Sequence, residues 1–284
     1  MSHAIEHVTA ETIPFALRGG AGTLAAWESI PPPGVETRGT ALLVPGFTGS
    51  KEDFGAMLPM LAAAGFHCVA YDQRGQWQSD GPDEVAGYTM ADFADDLNLV
   101  ADQISEDAPI HLVGHSFGGY VARAALVAQP NRFRSLTLLA SGPSSTSDIN
   151  STPPQLVAQL IESGGQRALW DQMNQALAPL VPPAELEFLH NRIFATKKAN
   201  LIGIMRVMEG SIDYTAALRA AALPILIAYG NSGDLWPPSV HERYAEELGA
   251  RTAVYDGVGH LPNEERPFRV CTDLIAFWTA AESR

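Results

Sequence analysis

The stretch Ile110-His-Leu-Val-Gly-His-Ser-Phe-Gly118 decides the fold that this sequence predicts. Its apolar start is typical of a buried strand, it continues as the pattern G-x-S-x-G, and the Ala-rich segment Phe117–Ala128 predicts a helix directly after it. Gly114 and Gly118 lack side chains that would collide in so tight a turn. The stretch therefore predicts a strand, a sharp turn and a helix, with Ser116 held exposed in a backbone geometry that ordinary loops avoid.

Apolar runs and helical periodicity alternate on both sides of this stretch. The predicted elements are a β-rich start over residues 4–30, strands at Ala41–Val44, Phe66–Tyr71, Ile110–Val113, Phe133–Leu139, 223–229 and 251–255, and helices over 52–64, Met90–Ile104, Phe117–Ala128, 239–248 and 266–280. Strands that alternate with helices in this way are typical of a parallel sheet covered on both faces. The sequence therefore predicts an α/β fold with a mostly parallel central sheet flanked by helices.

Residues 141–222 interrupt the alternation. They open with Ser-, Pro- and Thr-rich loops and continue as several short helical stretches without a strong strand between them. A length of 284 residues is compatible with one large domain or two small ones. We interpret the interruption as an excursion from one sheet, which divides the chain into a core of residues 1–140 and 223–284 and a helical cap, or lid, of residues 141–222.

Composition excludes several functional classes. The chain is 46% hydrophobic and 18% charged, which is typical of a globular protein, and its net charge of −14 argues against a nucleic-acid or anionic-membrane surface. Cys68 and Cys271 form no metal-ligand motif, so we expect no metal and no cofactor. The N-terminus lacks the features of a signal peptide, and no apolar run approaches the ~20 residues that span a bilayer. We therefore expect a cytoplasmic protein acting on a small molecule, as a monomer or a homodimer.

A serine hydroxyl is a weak nucleophile, so it needs a base to take its proton and a carboxylate to orient that base. Among the eight histidines, His260 has the best setting, in a loop of small residues between the last strand and the last helix. Asp234 is the acid that follows the strand ending at Tyr229, and Asp148 is an alternative. Ser116, Asp234 and His260 are therefore the predicted catalytic triad, and their order along the chain matches neither classic protease order.

Acyl transfer also requires donors for the negative charge that develops on the carbonyl oxygen. The backbone N–H of Phe117, directly after the nucleophile, is one predicted donor. The second is the backbone N–H of Phe47, in the turn Pro45-Gly46-Phe47-Thr48 that follows a predicted strand, because Gly46 allows the chain to bend toward the site. Each such donor is typically worth about 10²–10³ in rate.

These motifs make the sequence, from about residue 20 to 280, similar to the α/β-hydrolase superfamily, in its cap-bearing esterase and C–C hydrolase branch. Tyr71-Asp-Gln-Arg-Gly75 resembles the family's D-x-R-G loop, and Val258-Gly-His-Leu-Pro262 resembles its histidine loop. Three features depart from the pattern. Pro45-Gly46 replaces the frequent His-Gly, Gln76-Trp-Gln78 replaces a small Gly/Ser-containing stretch, and Asp234 comes one residue later than usual.

The resemblance implies a serine hydrolase whose substrate is a carboxylic ester, lactone or thioester of partly apolar character. A serine nucleophile argues against the dehalogenase and epoxide hydrolase branches, which attack with aspartate. The candidate pocket residues are Trp77, Trp170, Met205, Met208 and Trp236. Two other functions stay open: a non-hydrolytic enzyme that uses His260 as a base in lyase, elimination or cyclisation chemistry, and a ligand-binding protein with slow or no turnover.

Overall fold

A computed structural model describes residues 12–143, 152–210 and 212–283, in which eight strands form one sheet. The strands are β1 (Ile13–Gly19), β2 (Gly22–Ser29), β3 (Gly39–Val44), β4 (Phe66–Tyr71), β5 (Ile110–His115), β6 (Phe133–Leu139), β7 (Ile225–Gly230) and β8 (Arg251–Tyr255). Their spatial order is β1-β2-β4-β3-β5-β6-β7-β8. β1 pairs with β2, and β2 with β4, in antiparallel fashion, and the other pairs are parallel. The predicted mostly parallel sheet is confirmed.

Helices connect the parallel strands and continue beyond the last one. They are α1 (Leu58–Ala63), α2 (Met90–Ile104), α3 (Phe117–Ala128), α4 (Pro154–Leu177), α5 (Pro183–Ala195), α6 (Lys198–Glu209), α7 (Thr215–Ala221), α8 (Pro238–Leu248), α9 (Pro262–Glu265) and α10 (Pro267–Glu282). The helix expected over 52–64 is instead a 3₁₀ turn at Lys51–Phe54 followed by the shorter α1. Gly55 and Pro59 account for the difference, because glycine disfavours a continuous helix and proline favours a helix's first turn.

The sheet is covered by helices on both faces. Along β3, Leu42 and Val44 pack in one apolar cluster, while Ala41 and Leu43 pack in the other, because successive residues of a strand point to opposite faces. The first cluster includes residues of α2, α3 and α8, and the second includes residues of α1 and α10. Every one of these four β3 side chains is fully buried. The apolar run that predicted this strand is therefore explained by two-sided burial.

Four helices, α4–α7, lie between β6 and β7, and we call this segment, residues 154–221, the helical insertion. It is bound to the loop after β4 near the α5–α6 junction. Asn200 Nδ2 donates to the carbonyl oxygen of Arg74 at 2.7 Å. The backbone N–H of Lys197 donates to the carbonyl oxygen of Gly75 at 2.8 Å. α4 contains a break at Gly165, whose φ of 66° lies in the left-handed region. The insertion is thus fixed to the core at a point distant from both of its chain ends.

The start of α3 lies directly on the end of β3. A Cβ atom placed on Gly118 would come within 2.2 Å of the Val44 carbonyl oxygen, a backbone atom that cannot move aside. Gly118→Ala is therefore expected to lower the free energy of unfolding by about 3 kcal/mol or more, since overpacking against fixed atoms is destabilising. Urea unfolding, monitored by circular dichroism, measures this free energy of unfolding.

Gly210→Ala is the matched control. A Cβ there would meet no atom closer than 3.7 Å, at a φ of −94°, so its free energy of unfolding should stay within about 0.5 kcal/mol of the wild type. Equal unfolding midpoints for Gly118→Ala and Gly210→Ala would contradict the close approach.

Candidate active site

Ser116 lies at the sharp turn between β5 and α3. Its φ of 51° and ψ of −119° lie in a region that residues other than glycine rarely adopt. A Cβ on Gly114 would stand 2.5 Å from the carbonyl oxygen of Gly118, so the turn requires glycine there. The predicted strand, turn and helix are therefore present. The side chain of Ser116 is less open than expected, with 6% of the residue exposed, because the helical insertion covers it.

A continuous chain of hydrogen bonds joins the three residues that the sequence predicted as a triad. His260 Nε2 lies 2.9 Å from Ser116 Oγ, and His260 Nδ1 lies 2.7 Å from Asp234 Oδ1. An ionised carboxylate can only accept, so Nδ1 of His260 carries a hydrogen and donates this hydrogen bond to Asp234. Nε2 of a neutral His260 is then free to accept the hydroxyl hydrogen of Ser116. The alternative acid, Asp148, lies outside the described residues.

Asp234 is held by more donors than His260 alone. Burial raises the pKa of its carboxyl group, but hydrogen bonds from His241 and His260 outweigh burial and lower the pKa to about 2. His241 Nε2 lies 3.1 Å from Asp234 Oδ2, and the backbone N–H of Leu235 donates to Oδ1 at 2.6 Å. The carboxylate therefore remains ionised at neutral pH beside the imidazole that it orients.

His241 is a supporting residue that sequence reasoning missed. It lies on the buried face of α8, seven residues after Asp234, and its ring stacks on Tyr229 at a centroid distance of 4.4 Å. The available signal in the sequence was its spacing, because His241 precedes Tyr244, Ala245 and Leu248 by three, four and seven residues and so shares the apolar face of the helix. His115 has a similar role: its Nε2–H donates to the carbonyl oxygen of His260 at 2.9 Å. Burial, with a contribution from His260, lowers the pKa of His115 to about 3, so its ring is neutral.

The turn after β3 packs against Ser116. A Cβ on Gly46 would come within 3.0 Å of Ser116 Cβ, so glycine is the residue that fits. Phe47 follows Gly46, and Phe117 is the first residue of α3. The two amides predicted as oxyanion donors thus belong to the two turns that meet at the serine. The carbonyl oxygens of this turn accept hydrogen bonds from the buried side chains of Gln73 and Gln76.

Two cavities open onto Ser116 and His260. The first, of about 410 Å³, we call the apolar chamber. Its walls are mostly side chains of α4 and α6 and include Val157, Leu169, Met173, Met205 and Met208. The second, of about 270 Å³, we call the charged chamber, because Asp53, Glu185, Arg192 and Glu264 line one end of it. The rest of its lining is mostly apolar, so the charged chamber differs from the apolar chamber by these charged groups.

The charged chamber contains one guanidinium among three carboxyl groups. Arg192 of α5 donates to Asp53 and, at 3.0 Å, to Ser50 Oγ, which ties the helical insertion to the loop after β3. Burial, and next the nearby Asp53, raise the pKa of Glu264 to about 8, although Arg192 opposes this. Glu264 therefore carries a proton at neutral pH. The Asp53–Arg192 pair is the charged contact between insertion and core in this wall.

Of the five predicted pocket residues, Met205 and Met208 line the apolar chamber, and the three tryptophans line neither chamber. The indole N–H of Trp77 donates to Glu52 at 3.1 Å, outside the chambers. Trp170 packs inside the helical insertion, in an edge-to-face contact with His190 at a centroid distance of 5.2 Å. Trp236 is fully buried behind His260, at a ring distance of 6.1 Å. The tryptophans thus support the walls without forming them, which corrects their assignment to the pocket.

Neither a metal nor a membrane site is found in the described part of the chain. No group of three or more His, Cys, Asp or Glu side chains there is arranged to hold a metal ion. No described helix has the length and apolar character needed to cross a bilayer.

Comparison with known proteins agrees with the fold. A family model described as alpha/beta hydrolase fold matches residues 41–267. The bifunctional esterase/perhydrolase DCH of Acinetobacter calcoaceticus is 24% identical over 250 residues, which cover 82% of this chain and 88% of the relative. The crystal structure of a thermophilic esterase from Thermogutta terrifontis has a TM-score of 0.75 at 23% identity, covering 96% of this chain and 100% of that one. This last likeness concerns the fold.

A shorter match has higher identity. The protein named probable oxidoreductase EphD of Mycobacterium tuberculosis is 39% identical over 79 residues, which are 28% of this chain. The chain spans only 13% of that relative's length, so the match concerns one segment of a much longer protein.

The low pKa of Asp234 predicts a specific loss of stability in acid. Because its folded pKa of about 2 lies below the ordinary aspartate value of 3.8, its hydrogen bonds stabilise the fold above pH 3.8, and this contribution is lost as the pH falls toward 2. Between about pH 5 and about pH 2.5, the wild type should lose about 2 kcal/mol more free energy of unfolding than Asp234→Asn. Urea titrations at a series of pH values measure both, and parallel curves for the two proteins would contradict the assigned pKa.

Proposed function

Because the chain belongs to the alpha/beta hydrolase fold family, we propose that it is a serine hydrolase acting through an acyl-enzyme. Its substrate is a small-to-medium, partly apolar carboxylic ester, lactone or thioester. The observation that carries this proposal is the hydrogen-bonded chain from Ser116 Oγ through His260 to Asp234. A relative named as an esterase over 82% of the chain supports hydrolysis as the reaction class.

In the first half of the proposed cycle, Ser116 Oγ attacks the acyl carbon while its proton passes to His260 Nε2. The resulting imidazolium is stabilised by the ionised Asp234, 2.7 Å from Nδ1. The tetrahedral intermediate then expels the leaving oxygen or sulfur, which takes the proton from His260. In the second half, His260 removes a proton from water, the hydroxide attacks the acyl-enzyme, and the proton returns to Ser116 as the acid leaves.

The developing oxyanion is stabilised by the backbone N–H groups of Phe47 and Phe117. Both belong to turns whose backbone is fixed by packing, so they are oriented before the reaction begins. Phe117 also begins α3, and the partial positive charge of a helix N-terminus favours an anion there.

The apolar chamber suits the acyl group of the substrate. Its volume of about 410 Å³ lies within the usual range for small-molecule sites, and its methionines adapt to varied shapes. The charged chamber then faces the other side of the scissile bond. Its buried Asp53, protonated Glu264 and Arg192 offer hydrogen-bonding groups to polar atoms of the leaving group, within a lining that is otherwise mostly apolar.

The decisive test is covalent labelling of the serine. A fluorophosphonate should phosphonylate Ser116, with fluoride leaving and the serine proton passing to His260, and peptide mass spectrometry should locate the adduct. His260→Ala should lose the adduct, and His190→Ala, a histidine that lines neither chamber, should keep it. Ser116→Ala should hydrolyse chromogenic acyl esters at least about 10⁴-fold more slowly than the wild type.

Other outcomes separate the competing functions. An adduct on Ser116 without hydrolysis of any ester, thioester or lactone would favour a non-hydrolytic enzyme of the same family. A folded wild type that neither labels nor hydrolyses would favour a ligand-binding protein and overturn the proposal.

The assignment of the apolar chamber to the acyl group is tested by filling it. Met208, 7% exposed, lines the chamber, so Met208→Trp should reduce kcat/KM for octanoyl esters by about tenfold or more relative to acetyl esters. Leu180→Trp, at a position 68% exposed and lining neither chamber, should leave the ratio unchanged. A uniform loss on both chain lengths in Met208→Trp would place the acyl group elsewhere.

A further inference from the structure

We propose that Gln76 is a positioning residue that aims the backbone N–H of Phe47 at the oxyanion. This inference rests on the proposed function, because it assigns a role only if that N–H stabilises an oxyanion. Gln76 belongs to the stretch where this chain departs from the family pattern, directly after the D-x-R-G loop.

The geometry begins with one hydrogen bond. Gln76 Nε2 donates to the carbonyl oxygen of Gly46 at 2.9 Å, and Gln76 is fully buried. The same peptide unit carries the N–H of Phe47. In a trans peptide the C=O and N–H bonds point in opposite directions, and the described residues contain no cis peptide bond. A donor that fixes the direction of the Gly46 oxygen therefore fixes the direction of the Phe47 N–H.

The side chain of Gln76 is itself held in place. Its Oε1 accepts the backbone N–H of Gln73 at 3.1 Å, and its own backbone N–H donates to the Gln73 carbonyl oxygen at 2.9 Å. Both ends of the side-chain amide are thus engaged, which fixes its orientation. The neighbouring Gln73 Nε2 donates to the carbonyl oxygen of Pro45 at 2.9 Å. Two buried amides therefore hold two successive carbonyl groups of the turn.

The turn needs such support because its own residues only weakly favour its backbone conformation. Gly46 is required by its contact with Ser116, yet glycine is the residue whose flanking peptides rotate most freely. The local hydrogen bond from the Gly49 N–H to the Gly46 oxygen, 3.1 Å long, closes a turn in which Thr48 has a φ of 58°. A β-branched residue rarely adopts that region. The turn is therefore strained locally, and the bond from Gln76 adds an external constraint.

The test compares two matched glutamines in the same loop. Gln76→Met removes the donor to the peptide unit that bears the Phe47 N–H, and Gln73→Met removes the donor to the preceding unit. Each substitution removes the side-chain donor of one buried carbonyl oxygen, and Gln76→Met also leaves the backbone N–H of Gln73 without its acceptor, so Gln76→Met should lower Tm somewhat more than Gln73→Met. With a chromogenic ester, Gln76→Met should lower kcat about 10- to 100-fold with little change in KM. This loss of kcat is smaller than the loss expected when an oxyanion donor is removed completely. Gln73→Met should change kcat less than threefold.

Two further measurements separate positioning from general damage. The pH dependence of kcat/KM, which follows the ionisation of the base, should be the same in Gln76→Met and the wild type, because the variant leaves His260 untouched. Gln76→Glu, a second variant of nearly identical shape, should also lower kcat, since its carboxylate oxygen cannot donate to Gly46.

The outcomes distinguish the two proposals. Ser116-dependent hydrolysis in the wild type together with normal kcat in folded Gln76→Met or Gln76→Glu would overturn the role of Gln76 and leave the proposed function intact. Equal losses of kcat in Gln76→Met and Gln73→Met would also overturn it, in favour of general loop packing. A wild type without serine labelling or hydrolysis would overturn both.

Discussion

The contact between Gly118 and the last carbonyl group of β3 is the constraint on which the site depends. Because α3 begins directly against β3, the chain leaving β5 has little space in which to reverse, and Ser116 adopts a left-handed backbone there. The same closeness brings the turn after β3 beside the serine, since that turn starts at the carbonyl that Gly118 touches. The proposed nucleophile and the proposed oxyanion turn are thus placed by one packing contact between a helix and a strand.

Two carboxyl groups beside the serine illustrate how hydrogen bonds decide charge in a buried site. Burial raises the pKa of both Asp234 and Glu264, yet the first falls to about 2 and the second rises to about 8. Asp234 accepts hydrogen bonds from two histidines and a backbone amide, whereas Glu264 lies near the carboxyl group of Asp53. Hydrogen-bond donors therefore maintain the negative charge of Asp234, whereas burial and the nearby carboxyl group favour the neutral form of Glu264.

Sequence patterns predicted those features that depend on local order. The strands around Ser116 could be predicted because two-sided burial leaves continuous apolar runs, and Ser116, Asp234 and His260 could be selected because each follows a strand. The three tryptophans were assigned wrongly to the pocket, because their surroundings depend on how the helices of the insertion pack, and residues 141–222 carry no regular pattern that records this packing. Gln76 was missed for a related reason, since its hydrogen-bond partner Gly46 is distant in the chain. His241 lies only seven residues after Asp234, but the turn that brings the two side chains together carries no pattern that shows it.

The bonds from Lys197 and Asn200 to the loop after β4 have a consequence for the modularity of this protein. That loop supports the turn beside Ser116 on one side and holds the helical insertion on the other. The insertion is contiguous in sequence, but in the folded protein it is also bound to the core through residues in its interior, away from the two points where its chain enters and leaves the core. Its exchange between homologues as a cassette would therefore disrupt a junction shared with the reaction centre, so this loop and the insertion form one unit of inheritance.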